Sequence, residues 1–294
     1  MELTSGVVDV PAGRIHYVEL GKGPTVLFLH GGLANGRLWH NVVPHLAASH
    51  RCVVPDLPKG SHREPMRPGV DLAPPAMARL VIDFMDSLGL DQVHLVTNDS
   101  GGAVGQILTA AHPDRVRSLV LTSCDTYRQF PPRYLKPVHL LAQVPGLAPL
   151  LARLWTLRWV QRAFYASLTR RPIPPDVLAG YVGPMKDAGV RRDIASFFRG
   201  IRVSQTVDAA EALRSIDLPV LAVWGADDLW FSRRNAARLV GSLPDARLEV
   251  LAECRTFVPE DQPDALGRLV ADFLAQAGPA VSQRSAASTP DLHR

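Results

Sequence analysis

Apolar residues fall along this chain in two rhythms. Short apolar runs occur at 25–29, 51–54, 93–97, 119–123, 219–224 and 247–251. Runs of that length flanked by turn residues read as strands buried in a parallel sheet. Residues 6–12 and 14–19 read as a hairpin joined at Gly13. Between the runs the spacing becomes helical. Residues 38–46 have that spacing. Pro74 and Pro75 open a helix that puts Leu80, Phe84 and Leu88 on one face and ends at Gly89. Residues 102–111 form a helix stopped by His112-Pro113, and 264–275 form the last one.

The alternation stops after residue 124. From 125 to about 205 the chain is rich in Pro, Arg, Leu and aromatics, with helical patterns at 137–144, 148–168, 175–188 and 190–201. This predicts a core in two parts, 1–124 and 206–276, with a helical cap at 125–205 inserted between them. A small, polar, disordered tail at 277–294 follows. Alternating strands and helices predict a doubly wound, mostly parallel α/β sheet. Such sheets bind ligands at the carboxyl ends of their strands. His30, Asp99, Cys124-Asp125, Asp228 and the 253–257 loop each follow a predicted strand, so they are expected to cluster.

The sharpest local pattern is Val93-His94-Leu95-Val96-Thr97-Asn98-Asp99-Ser100-Gly101-Gly102-Ala103. A β-branched run ends in a polar residue between small neighbours, and a helix follows: a strand–turn–helix elbow. A nucleophile on so tight a turn needs small residues two before and two after it. Asp99 has Thr97 and Gly101 there, whereas Ser100 would have Asn98 and Gly102. Asp99 is the expected nucleophile, with the Ser100 N–H facing a developing anion. The plainer alternative is an ordinary turn with Asp99 as helix N-cap. After the 25–29 run, His30-Gly31-Gly32 leaves backbone N–H groups free to bind an anion.

Length and charge narrow the class. The chain has 294 residues, 47% of them hydrophobic, and a net charge of +4. That supports a large core, and scattered Lys and Arg speak for solubility rather than nucleic-acid binding. Three cysteines, Cys52, Cys124 and Cys254, suggest a reducing, cytoplasmic setting. No signal peptide or membrane-spanning run is visible. No metal motif or nucleotide loop is present, so no cofactor and no metal is implied. The expected partner is a small-molecule substrate, with no nucleic acid and no membrane, in a monomer or homodimer.

His30-Gly31-Gly32, Pro55-Asp56-Leu57, the Asp99 elbow, Trp224-Gly225-Ala226-Asp227-Asp228 and Phe257-Val258-Pro259-Glu260-Asp261-Gln262-Pro263 together resemble the α/β-hydrolase family in its capped branch. The resemblance covers nearly all of residues 6–276. An elbow aspartate resembles the epoxide hydrolases and haloalkane dehalogenases. There, a carboxylate attacks a saturated carbon to give an ester, and a His oriented by an acid activates water against it. Asp228 matches the acid. The His position is Thr256, whose hydroxyl does not ionise near neutral pH. Leu33-Ala34 stands where epoxide hydrolases carry Pro. Ser100 stands where dehalogenases usually carry Trp, which argues against a dehalogenase.

Several residues could fill the gap. His62 is a substitute base or a loop histidine tying backbone. Asp125 lies where some related dehalogenases place their acid, or caps a cap helix. The resemblance gives His30 a structural or anion-hole role. Trp155 and Trp159, four apart, line the cleft or pack in the core. Tyr127, Tyr134, Tyr165 and Tyr181 are cap packing or acids. Arg153, Arg158, Arg162, Arg170 and Arg171 are a solvated face or recognise an anionic substrate. Three functions stay open. One is a hydrolase using Asp99 on an epoxide or other activated C–X bond. Another is a lyase, isomerase or cyclase using Asp99 as acid and base. The third is a degenerate small-molecule binder.

Overall fold

The computed structural model describes residues 3–144, 146–147, 153–155 and 157–277. Eight strands form one sheet in the order β1-β2-β4-β3-β5-β6-β7-β8. They are β1 Thr4–Val10, β2 Gly13–Leu20, β3 Thr25–Leu29, β4 Arg51–Pro55, β5 Val93–Asp99, β6 Val116–Cys124, β7 Val220–Gly225 and β8 Ala246–Leu251. The β1/β2 hairpin and the β2–β4 edge are antiparallel. All other pairs are parallel. The inner strands are apolar end to end because helices cover both faces. Val26 to Leu29, Leu119 to Leu121 and Leu221 to Trp224 are essentially inaccessible.

Helices α1 Pro74–Ser87 and α2 Ser100–Ala111 pack together. Between β6 and β7 the described residues hold only helical segments, turns and loops. The α-helices there are α3 Lys136–Ala142, α4 Arg158–Leu168, α5 Pro175–Val182, α6 Ala188–Arg199 and α7 Val203–Leu213. The last packs on α2 and so belongs with the core. After β7 come α8 Arg233–Val240, the short α9 Val258–Asp261 and α10 Pro263–Gln276. α8 had no counterpart in the sequence reading.

Two local expectations are corrected. Residues 38–46 do not form one helix; they form 3₁₀ turns at Gly36–Trp39 and Val43–His45, with Pro44 in the second, where it has no N–H to extend a helix. α4 starts only at Arg158, so Trp155 lies in the turn before it and does not share a helical face with Trp159. The N-terminal part of the expected 148–168 helix and almost all of the expected disordered tail lie outside the described residues. No helix among them is long and apolar enough to cross a membrane.

Candidate active site

The elbow has the geometry its residues demand. Asp99 ends β5 with φ +52°, a left-handed conformation that non-glycine residues adopt only under constraint. The constraint is visible. A Cβ on Gly101 would stand 2.5 Å from the Leu29 carbonyl oxygen and 2.7 Å from that of His30. One on Gly31 would stand 2.3 Å from Asp99 Oδ2. Only glycines let β3, the Gly31-Gly32 turn and the elbow approach so closely. Gly32 N–H donates to Ser100 Oγ at 2.9 Å, linking the two halves of the expected anion site.

His30 is fully buried and committed to backbone. Its Nδ1 lies 2.8 Å from the Gly31 carbonyl and its Nε2 accepts from Leu57 N–H at 2.8 Å. Burial and the neighbouring Lys59 charge depress its pKa to about 3. It is a neutral clamp for the Gly31-Gly32 turn.

The register of β5 on β6 sets Asp99 beside Cys124, so Asp125 emerges next to it. Asp125 is fully buried, and neither carboxylate oxygen has a hydrogen-bond partner among the described residues. Gln106 holds its backbone carbonyl at 2.8 Å, which fixes the chain there. Burial first, and the Asp99 charge second, push the Asp125 pKa far up. Asp99 is raised to about 6 by burial, against the pull of Lys59 and of the Ser100 and Gly32 N–H groups.

Asp228 follows β7. Its Oδ1 accepts from Trp230 N–H at 2.8 Å, Phe231 N–H at 3.0 Å and Thr256 Oγ at 2.7 Å. Its Oδ2 is buried with no hydrogen-bond partner among the described residues. Asn98, next to the elbow, donates to the Thr256 carbonyl at 2.8 Å and ties that loop to β5. Asp99, Asp125, Asp228 and Thr256 are thus brought to one sheet edge.

Other expected residues sit elsewhere. His62 is buried against Asp193 of α6, with Nε2 3.1 Å from Oδ2, and does not line the cavity at Asp99. It ties the loop after β4 to the helices above the sheet rather than serving as a base. Trp159 is 70% exposed, which removes it from a substrate-binding role. Trp155 packs edge-on against Phe164. Arg158, Arg162, Arg170 and Arg171 line a separate surface groove, with Arg170 paired to Asp227 at 2.7 Å. Tyr165 and Tyr181 stack in the packing between helices and core, where their hydroxyls are bound by the Leu33 carbonyl and Glu260.

The cavity over Asp99 measures about 20 Å³ and is lined by Gly32, Leu33, Ser100, Asp125, Phe164 and Trp230 among others. That is room for about one water. Leu33, Leu135, Phe164 and Phe198 separate it from an apolar cavity of about 280 Å³, which Trp155 also lines. Among the described residues no cluster of His, Cys, Asp and Glu could hold a metal.

Lys59 is distinguished in the sequence only by its place in the loop after β4. It is fully buried, its Nζ donates to the His30 carbonyl at 3.1 Å, and it lies 5.1 Å from the centre of the Phe197 ring. The only signal was its place in a loop after a central strand, at the sheet edge where the other polar groups converge.

The model of the alpha/beta hydrolase fold family matches residues 24–263, and the chain belongs to that family. The chain is 28% identical over 276 residues to a 2-hydroxy-6-oxo-6-phenylhexa-2,4-dienoate hydrolase of Burkholderia cepacia, covering 89% of this chain and 91% of that protein. It is 29% identical over 270 residues to haloalkane dehalogenase 2 of Mycobacterium tuberculosis, covering 89% and 92%. Among solved structures, an ancestral haloalkane dehalogenase superposes with a TM-score of 0.80 at 27% identity, over 92% of this chain and 99% of that one. An epoxide hydrolase shares the fold, with a TM-score of 0.79 at 22% identity, over 94% and 99%. The chain is therefore an enzyme of the α/β-hydrolase superfamily, related to named hydrolases of more than one bond type.

Proposed function

We propose that this hydrolase uses Asp99 as nucleophile on an epoxide, or a comparably activated C–X bond, of a small and largely apolar molecule. Asp125 does the proton transfers that an imidazole does in the relatives the sequence resembles. The carrying observation is the pair itself: an elbow carboxylate and, beside it in the same closed cavity, a carboxyl group with both oxygens unpartnered.

The steps balance on these groups. Asp99 carboxylate attacks the epoxide carbon, and an ester bond forms as the C–O bond breaks. The leaving oxygen takes the proton of Asp125, whose burial favours the protonated form. Asp125, now a carboxylate, takes a proton from water, and the hydroxide attacks the ester carbonyl. The oxyanion forms near the Gly32 and Ser100 N–H groups and collapses: the ester C–O bond breaks, the departing oxygen takes the proton that the hydroxide brought to the Asp99 carboxyl, the diol leaves, and Asp99 carboxylate and protonated Asp125 are restored. One carboxyl group serving first as acid and then as base follows the logic of retaining glycosidases. The apolar part of the substrate occupies the 280 Å³ cavity once Phe164 and Phe198 move aside. Thr256 stands at the expected His position, and Asp228 orients its hydroxyl rather than a base.

A second reading has its own support. The raised Asp99 pKa and the absence of an imidazole in the cavity suit a lyase or isomerase in which Asp99 moves a proton. Incubation with styrene oxide in oxygen-labelled water separates the two. Hydrolysis through Asp99 gives styrene glycol, label in the Asp99 carboxylate after a single turnover, and a stable adduct by intact mass in Asp125→Asn that is absent in Asp99→Asn. A rearranged carbonyl product without label overturns the nucleophile and favours the second reading.

A further inference from the structure

Lys59 is the one buried charge at this sheet edge that the mechanism above does not use. We infer that its ammonium is the built-in counter-ion of the Asp99/Asp125 pair and holds that pair at a single proton, with the charge on Asp99 and the proton on Asp125. What the pair then does in catalysis rests on the proposed reading; its protonation state does not.

The argument begins with the cost of burying a cation. Lys59 has no accessible surface, and among the described residues its ammonium meets a neutral carbonyl and an aromatic face. Neither neutralises an ammonium; burial lowers its pKa to about 8, and carboxylates acting through space oppose that. Its Nζ sits on the His30 carbonyl, an oxygen packed 2.7 Å from where a Gly101 Cβ would stand, so the ammonium lies against the elbow, where the acids acting on it are Asp99 and Asp125. Protonating both would strand the ammonium. Ionising both would set two like charges side by side in a cavity with room for one water. One proton on the pair avoids both costs.

Geometry then places that proton. Asp99 faces the Ser100 and Gly32 N–H groups, which favour its anion. Asp125 has no donor from any other described residue at either oxygen, and only its own backbone N–H favours its anion. The charge therefore settles on Asp99, the group that must attack.

The other titratable groups facing the pair do not supply a cation. Asp228, from the loop after β7, raises both carboxyl groups alike by its charge and has three donors on its own Oδ1. His30, at the end of β3, is neutral, with both ring nitrogens on backbone. His62, on the loop after β4, is paired with Asp193 of α6. The Cys124 thiol, at the end of β6, is pushed well up by burial. Lys59 is thus the cation that acts on both carboxyl groups. It acts through them, so it is a positioning residue.

Infrared difference titration of the full chain reads the carboxyl groups directly, with Asp99→Asn and Asp125→Asn assigning the bands. In the native chain a protonated carboxyl band persists through neutral pH and is lost in Asp125→Asn. In Lys59→Met the ionisation midpoint of Asp99 rises by at least about one pH unit, a tenfold change in its equilibrium. The acidic limb of styrene oxide labelling moves with it. A folded Lys59→Met with the Asp99 midpoint unmoved overturns the inference, whatever the labelling does. Unchanged styrene oxide chemistry with a shifted infrared midpoint leaves the counter-ion in place and counts only against the proposed reaction.

A thermal series covers the case in which Lys59→Met does not fold. Asp99→Asn with Asp125→Asn removes both groups able to carry the counter-charge and should melt below either single variant. Adding Lys59→Met to that double variant should restore the loss. A double variant as stable as the singles overturns the inference.

Discussion

Thr256 Oγ donates to Asp228 Oδ1 at 2.7 Å, in the place where the resemblance calls for an imidazole. Asp228, to which the resemblance gives the role of acid, is held by two further backbone donors, and its side-chain partner is a hydroxyl. Under the proposed function the base is Asp125, an unpartnered carboxyl group in the cavity over Asp99.

Replacing Thr256 tests both aspects. Thr256→Val keeps the shape and deletes one of the donors on a buried carboxylate, which should cost about 1–3 kcal/mol in urea unfolding. Thr256→His should speed the release of any Asp99 ester trapped in Asp125→Asn, by a factor of order 10² or more, seen as loss of the adduct mass with time.

The elbow should be intolerant of a single methyl group. A Cβ at Gly101 meets backbone oxygens that cannot swing away, so Gly101→Ala should destabilise by about 1–3 kcal/mol and abolish labelling of Asp99. Gly183 has nothing within 4 Å of its would-be Cβ. Gly183→Ala should therefore be neutral or stabilising by up to about 1 kcal/mol. Paired thermal melts check the contrast.

The His62–Asp193 contact fastens the loop after β4 to α6. Asp193 also accepts from Met66 N–H at 2.7 Å and from Arg192. Asp193→Ala leaves these donors buried or unpaired and should cost about 3–5 kcal/mol. Hydrogen exchange should show the loss first in residues 57–66 and in α6. Protection unchanged in both would contradict the assignment.

Stability should fall as pH rises through the acid range. Asp99 ionises at about 6 in the folded chain rather than near 3.8. Between those values the folded chain holds a proton that the unfolded chain has released. The contribution of Asp99 is therefore most favourable below pH 3.8, declines up to about pH 6, and is constant above it. The span is on the order of 1–3 kcal/mol. Asp125 and Asp228, also raised, act in the same direction. Denaturant midpoints across this window should decline less steeply in Asp99→Asn.

The cysteines should be silent in the folded state. Cys52, Cys124 and Cys254 are buried, and burial pushes the Cys52 thiol up to about 12 and the other two upward as well. Thiolate is the reactive form. A thiol-reactive dye should label none of them in the native chain and all three after unfolding.

Much of this was legible in local pattern. The apolar runs located the strands because a sheet covered on both faces leaves no polar alternation. The Thr97-x-Asp99-x-Gly101 spacing located the elbow because the steric demand there is local. Topology then predicted that Asp99, Asp125, Asp228 and Thr256 would meet, since each follows a strand of one parallel sheet. Other features have no local signature. Lys59 reads like any loop lysine, and its burial depends on Phe197, 138 positions further on and brought over it by the packing of α6. His62 lies beside the expected site in sequence, yet its partner is Asp193. Trp155 and Trp159 share a spacing but not a helix, because the helix begins between them. Short-range sterics and hydrophobic period are written into neighbouring residues. Burial, charge compensation and pairing are set by segments far apart in the chain, and only the tertiary structure decided them.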